Sequence, residues 1–332
     1  MENSTNMAEI RINDHVYTIL DTKEKITVAD SFVKRANKIM TGSGEAKLYL
    51  GNDNQETREF FGENGFNIRC LLLKKDLQQY MKETEAEYKN PEQPYRNKEL
   101  LPSYWNNRVE IVNELPNYLW FNIVEQTHIQ GPRVYVKSDS KGFDLIRELS
   151  LPFITYLSII KLKSSSDGII YYFRLFVDYF GEVEHPSEVK QEEERIAEKI
   201  EIPEEKKKEI SYARLGQGKY RRGLLEECPF CAITLVSDDR LLIASHIKPW
   251  VDSLENEKID PKNGFMFTPT YDFLFDRGFI TFTNDKRILI SPWLSKITCS
   301  RLNIAQDKKY PLLQTEGREV YLDYHRAHIF KG

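Results

Sequence analysis

His246, Asn263 and Asp272 follow one another in the C-terminal third of the chain, seventeen and then nine residues apart. Hydrolysis of a phosphodiester around one metal ion needs a base for the attacking water, a residue that holds the base, and an anchor for a divalent cation. His246 suits the first task, because an imidazole titrating at about pH 6.5 can take a proton at cellular pH. Asp272 suits the third, because hard carboxylate oxygen favours Mg2+ more than imidazole nitrogen does. Asp276 lies one helical turn further on. It reads as a second ligand, an outer partner, or the partner of a nearby cation. Asn263 precedes a glycine, so it reads either as a plain turn residue or as the group that orients the imidazole. Taken singly, each has a bland explanation: a buried structural histidine, a turn, a surface carboxylate. Their order and their neighbours favour the chemical one.

Cys228 and Cys231 form a Cys-Pro-Phe-Cys pair ahead of the histidine. Such a pair can supply half of a tetrahedral zinc site. The alternative, two small apolar side chains packed in a core, is the better expectation. Cys299 and His325 could complete a zinc site, although nothing in their spacing demands it.

The segments around these residues are Ala-Ser-His-Ile-Lys-Pro-Trp at 244–250, Asn-Gly at 263–264 and Leu-Phe-Asp-Arg-Gly at 274–278. Together, over roughly residues 213–330, they resemble the HNH endonuclease family, and within it the restriction-endonuclease branch. The resemblance implies a ββα-metal nuclease domain in which His246 is the base, Asn263 orients it, and Asp272, with Asp276 as a possible second ligand, holds Mg2+ or Mn2+. It also implies double-stranded DNA as substrate, with contacts from Arg214, Gln217, Lys219, Arg221 and Arg222 of a Gly-Gln-Gly-Lys-Tyr-Arg-Arg segment and from Lys248. Two departures stand out. Many family members have an aspartate ligand before the base, where this chain has Ser245. Zinc-bearing members have a second cysteine pair where this chain has Thr268 and Tyr271. Structural zinc is therefore not the favoured expectation.

The 332 residues are long enough for two domains, and 18 Phe, 18 Tyr and 4 Trp support sizeable cores. The opening segment lacks a basic and apolar leader pattern, and four cysteines make no secreted disulfide framework, so a cytoplasmic protein is expected. No apolar run is long enough to span a membrane. The net charge of −4 hides an uneven distribution. Residues 181–212 carry 11 acidic and 6 basic side chains, whereas residues 213–222 carry four basic and no acidic ones. A nucleic-acid enzyme needs a local basic surface, not a basic average.

The elements that must position the site follow from pattern. Leu241–His246 reads as a strand ending on the histidine, followed by a long loop to Lys262 and a second strand at Phe265–Phe267. A helix is expected from Thr268-Pro269 to Arg277, stopped by Gly278. A hairpin around Asn284-Asp285 and helices holding Trp293 and Tyr321–Phe330 close the domain. The expected class is α+β, with a mixed α+β recognition domain at 1–180, a charged helical linker at 181–212 and the nuclease domain at 213–332. In the first domain, Glu9–Ile19 reads as a strand, Asp30–Met40 as a helix, Ile68–Leu73 as a strand leading into a polar helix, and Pro91, Pro94 and Pro102 as a loop. Phe143–Leu149 reads as a helix and Tyr171–Phe180 as a strand. Candidate DNA contacts there are Lys74, Lys75, Arg133, Lys137 and Lys141, with Trp105 and Tyr95 for stacking. Double-strand cutting at a palindrome makes a homodimer the expected assembly. The competing readings are a modification-dependent endonuclease and a non-catalytic DNA-binding protein on the same scaffold.

Overall fold

Alternation of apolar and polar residues builds most of the first unit. The computed structural model describes residues 8–40, 46–127, 131–177 and 220–332. The chain divides into two units, Met1–Val183 and Glu184–Gly332. The charged stretch 181–212, with Arg214, Gln217 and Lys219 beyond it, lies outside the described residues.

The first unit is one eight-stranded sheet with helices on its inner face. The strands are β1 (Glu9–Ile12), β2 (His15–Thr27), β3 (Leu48–Asn52), β4 (Asn67–Leu73), β5 (Tyr118–Glu125), β6 (Arg133–Lys137), β7 (Thr155–Ser164) and β8 (Gly168–Val177). Their spatial order is β1-β2-β7-β8-β4-β5-β6-β3. Every pairing is antiparallel except that of β4 with β8. Ile68, Cys70 and Leu72 alternate inward from β4, and Phe121 and Ile123 from β5. They meet Leu77, Tyr80 and Met81 of the helix Lys74–Glu83 and Phe143 and Ile146 of the helix Lys141–Leu149.

Three local expectations change here. Glu9–Ile19 is a hairpin rather than one strand, turned at Asn13 with φ 55°. Asp30–Met40 is not a helix but an irregular segment with one 3-10 turn at Arg35–Asn37. Its helical spacing is overridden by Asn37, whose buried amide donates to the carbonyls of Glu148 and Ser150 at 2.7 and 2.8 Å. Pro102 lies in the first turn of the helix Leu101–Asn113 rather than in a loop, the turn where a missing N–H costs nothing.

The described residues of the second unit open with a helix over residues 220–227. Strands β9 (Ile243–His246) and β10 (Gly264–Phe267) pair antiparallel, with His246 opposite Gly264. The site helix Pro269–Asp276 follows, completing a ββα unit. Gly278 then turns the chain at φ 69°, where a side chain would strike the Ile329 carbonyl 2.0 Å away. A hairpin of β11 (Ile280–Phe282) and β12 (Ile288–Ile290) and the closing helix Glu319–His328 cover the core. That core centres on Phe265, Phe267, Phe275 and Phe282. Trp293 is buried in the turn before the helix Lys296–Arg301. The architecture is α+β. Among the described residues no helix is long and apolar enough to cross a membrane.

Candidate active site

His246 ends β9, so its backbone is held by the strand pair while its ring faces the loop that follows. The ring stacks on Tyr220 at 4.0 Å and 13° between planes, and Trp250 meets it edge-on at 5.6 Å. Its Nε2 lies 3.0 Å from the Lys258 carbonyl. A carbonyl can only accept, so Nε2 carries the proton and Nδ1 keeps its lone pair. Burial lowers the imidazole pKa, against the smaller raising effect of the Lys258 hydrogen bond. The geometry thus presents a neutral ring with one basic nitrogen.

Asn263 does not touch that ring. Its Oδ1 accepts from the Lys248 backbone N–H at 2.8 Å. Its Nδ2 reaches the Lys248 carbonyl, Ser253 Oγ and the Glu257 carbonyl at 3.2, 3.2 and 3.1 Å. This fully buried amide staples shut the long loop between the two strands. That loop includes a short helix, Glu255–Lys258, which carries the carbonyl that fixes His246. The Asn263 amide and the carbonyl that meets the imidazole thus belong to one held loop. The Asn263 backbone carbonyl accepts from Ile247 N and from the Tyr220 hydroxyl, both at 3.0 Å. Gly264 is required there: a Cβ would lie 1.9 Å from the Tyr220 hydroxyl oxygen.

Asp272 sits in the first turn of the site helix and is half-buried. Burial pushes its carboxyl up to about 6, the Ser245 hydroxyl that hydrogen-bonds to it works the other way, and Asp276 raises it further. Among the described residues no lysine or arginine pairs with it. A desolvated carboxylate without a basic partner, beside a hydroxyl, fits a divalent cation: Asp272 offers a charged oxygen and Ser245 a neutral one. The described residues contain no cluster of three or more His, Cys, Asp or Glu able to hold a metal. Most of a cation's coordination would therefore come from water and substrate oxygen. Asp276 is exposed and lies 3.8 Å from the Arg277 guanidinium.

The remaining candidates are engaged elsewhere. Lys248 Nζ pairs with Glu257 at 2.6 Å and lies over the Tyr324 ring. Arg221 donates to the carbonyls of Leu242 and Asp239 at 2.8 and 2.6 Å, and Arg222 is exposed. Cys228 and Cys231 are buried free thiols, and burial raises that of Cys228. Both ring nitrogens of His325 are occupied, by Thr281 Oγ1 at 2.9 Å and the Phe275 carbonyl at 3.0 Å. In the first unit, Tyr95 is buried, and Trp105 donates to the Met81 carbonyl beneath Lys89.

Sequence reasoning missed Arg318 and Tyr220. Arg318 is buried behind the site, donating to the Gly264 and Pro261 carbonyls and to Glu227, at 2.9, 3.2 and 2.9 Å. It also reaches Cys228 Sγ at 3.6 Å. Glu227 is held below the usual carboxylate range: desolvation opposes this, but Lys262 and Arg318 outweigh it. No spacing signal links Arg318 to a loop some fifty residues earlier.

No curated protein matches the chain. Residues 231–283, which run from Cys231 through β9, the stapled loop, β10 and the site helix to the end of β11, match the HNH endonuclease family. Residues 231–283, within the second unit, are an HNH endonuclease-family domain.

Proposed function

We propose that the protein is a metal-dependent endodeoxyribonuclease in which His246 Nδ1 is the general base. The HNH domain points to a nuclease acting on DNA. The observation that carries the finer reading is the tautomer: with Nε2–H tied to the Lys258 carbonyl, Nδ1 is the nitrogen left to take a proton. It accepts one from water as the water oxygen attacks phosphorus. The P–O3′ bond breaks, and the departing O3′ takes a proton from a neighbouring water, leaving a 5′-phosphate and a 3′-hydroxyl. HNH nucleases generally use divalent metal ions. When bound, Mg2+ or Mn2+ would supply charge neutralisation on the departing oxygen. Asp272 and Ser245 are the residues suited to hold it, and Asp276 is near enough on the helix to act through water.

The most economical biological role is a type II restriction endonuclease, with the first unit supplying target recognition and two chains cutting a palindrome. A small nuclease domain reads backbone more than sequence, so a separate large unit is well placed to choose the site. Digestion of methylated and unmethylated genomic DNA with Mg2+, followed by sequencing of the ends, tests this. Ends sharing one short sequence on unmethylated DNA support restriction. Cutting confined to methylated DNA replaces it with modification-dependent cleavage. No cutting with any divalent cation leaves a binding protein on a nuclease scaffold.

A further inference from the structure

The outer face of β4, β5 and β6 carries cations, an exposed tryptophan and half-buried tyrosines but no acid. Glu125 is the only carboxylate on these strands, and it points inward, where Arg58 grips both its oxygens at 2.9 Å. Register places the outward side chains in rows: Asn67 beside Val124 and Lys137, then Arg69 beside Asn122, then Trp120 beside the buried Leu71, then Tyr118 beside the buried Leu73. Arg133 lies two residues before Tyr135 on the same face of β6. Trp120 is 37% exposed, with the Arg69 guanidinium 3.9 Å over its ring. Beyond Tyr118 the face runs into a cavity of about 230 Å3, also lined by Arg11, Asn13, Lys75 and Asn117.

Of the five basic residues, Arg69 shares its charge with Asp167 at 3.3 Å. Among the described residues Arg11, Lys75, Arg133 and Lys137 have no ion-pair partner. In a chain with net charge −4, such a concentration needs an explanation. From Val124 to Tyr118 the strand runs about 20 Å, the length of about six base pairs of duplex. A sheet face lined by cations, most of them without an ion-pair partner among the described residues, complements the phosphates of a polyanion.

We propose that this face, from Arg133 and Lys137 past the Arg69–Trp120 stack to the cavity beside Tyr118, is where the first unit takes duplex DNA. The inference rests on the nuclease reading and adds the surface that holds the substrate. The cations grip phosphates and set the register of the duplex. Asn122 and Asn67, bonded to each other at 3.2 Å, stand between them at the surface.

The test uses the full chain carrying His246→Ala, so that DNA is bound without being cut, and a fluorescent duplex about 30 base pairs long, titrated by anisotropy between about 50 and 200 mM KCl. Arg133→Ala/Lys137→Ala and Arg11→Ala/Lys75→Ala should each weaken binding about tenfold or more at the lower salt and reduce the salt slope by about 2. Arg133→Lys/Lys137→Arg should keep both, which separates lost charge from damaged fold. Unchanged affinity and slope in both Ala pairs, with normal melting, would overturn the proposal. So would an effect on self-association of the DNA-free chain in place of DNA binding. The nuclease reading fails separately: a His246-intact chain that cuts no duplex under any divalent cation removes it, whereas a chain that cuts while the Ala pairs bind normally removes only this face.

Discussion

At the scale of single residues, the site is a matched pair of perturbed groups. Burial keeps His246 neutral and makes Asp272 reluctant to ionise. Replacing His246 by Ala should lower the cutting rate by about 10²–10⁴ while leaving DNA affinity nearly unchanged. Single-turnover cleavage and anisotropy on the same variant check both halves. Asp272 makes a second, less obvious prediction about stability. Its folded pKa is raised above the unfolded value, so its favourable contribution is present below the unfolded pKa of 3.8 and lost as pH rises through about 6. At pH 7.5 without divalent cations, Asp272→Asn should therefore be more stable than the parent by on the order of 1–3 kcal/mol. The gain should vanish near pH 4. Mg2+ or Mn2+ should raise the melting temperature of the parent and not of the variant. Melting curves at the two pH values, with and without cation, measure this, and a variant less stable at pH 7.5 would count against a metal-ligand role. Activity should fall on acidification for two reasons with the same sign: the imidazole gains a proton and Asp272 loses its charge. At low Mg2+ the acid limb should lie near pH 6, and it should move lower as Mg2+ is raised, because proton and cation compete for one carboxylate.

At the scale of elements, two strands set the histidine and one loop sets its ring. The loop is held by the Asn263 amide, which has partners at Lys248, Ser253 and Glu257. Asn263→Ala would leave the Lys248 N–H unsatisfied, since the Glu257 carbonyl keeps backbone donors, at a cost of about 1–3 kcal/mol. Because the Lys258 carbonyl then loses its position, the cutting rate should fall by about 10-fold or more with the divalent-ion midpoint unchanged. A Mg2+ titration of the rate separates this from Asp272→Asn, whose midpoint should rise. Gly264→Ala tests the other side of the loop. Its methyl would displace Tyr220 from beneath His246, so both stability and rate should drop, the former by about 1–3 kcal/mol.

At the scale of the whole molecule, the two units have separate hydrophobic cores with no residue in common. A fragment of residues 213–332 should accordingly fold alone and retain divalent-ion-dependent cutting with diminished choice of site. Circular dichroism melting and end sequencing would test it. Failure of the fragment to melt cooperatively would show that the first unit is needed for the second to fold.

The sequence by itself determined the class of chemistry and the element that bears it. The strand, loop and helix that carry His246, Asn263 and Asp272 were legible because a ββα unit is local: its elements are consecutive, and proline and glycine punctuate the helix at Pro269 and Gly278. The eight-stranded order was not legible. Its central β4–β8 pairing joins residues about a hundred positions apart, and no local pattern encodes a partner at that distance. The same reason hid Asn37, whose tertiary hydrogen bonds replaced an expected helix with an irregular turn. It hid Arg318, which braces the site from the far end of the unit. Only the tertiary structure could decide what Asn263 holds, since an Asn-Gly pair is a turn until its amide is buried among three backbone groups. Only it could decide which imidazole nitrogen is basic. The side chain is written in the sequence, but its tautomer is chosen by a carbonyl twelve residues away that a folded loop brings to 3.0 Å.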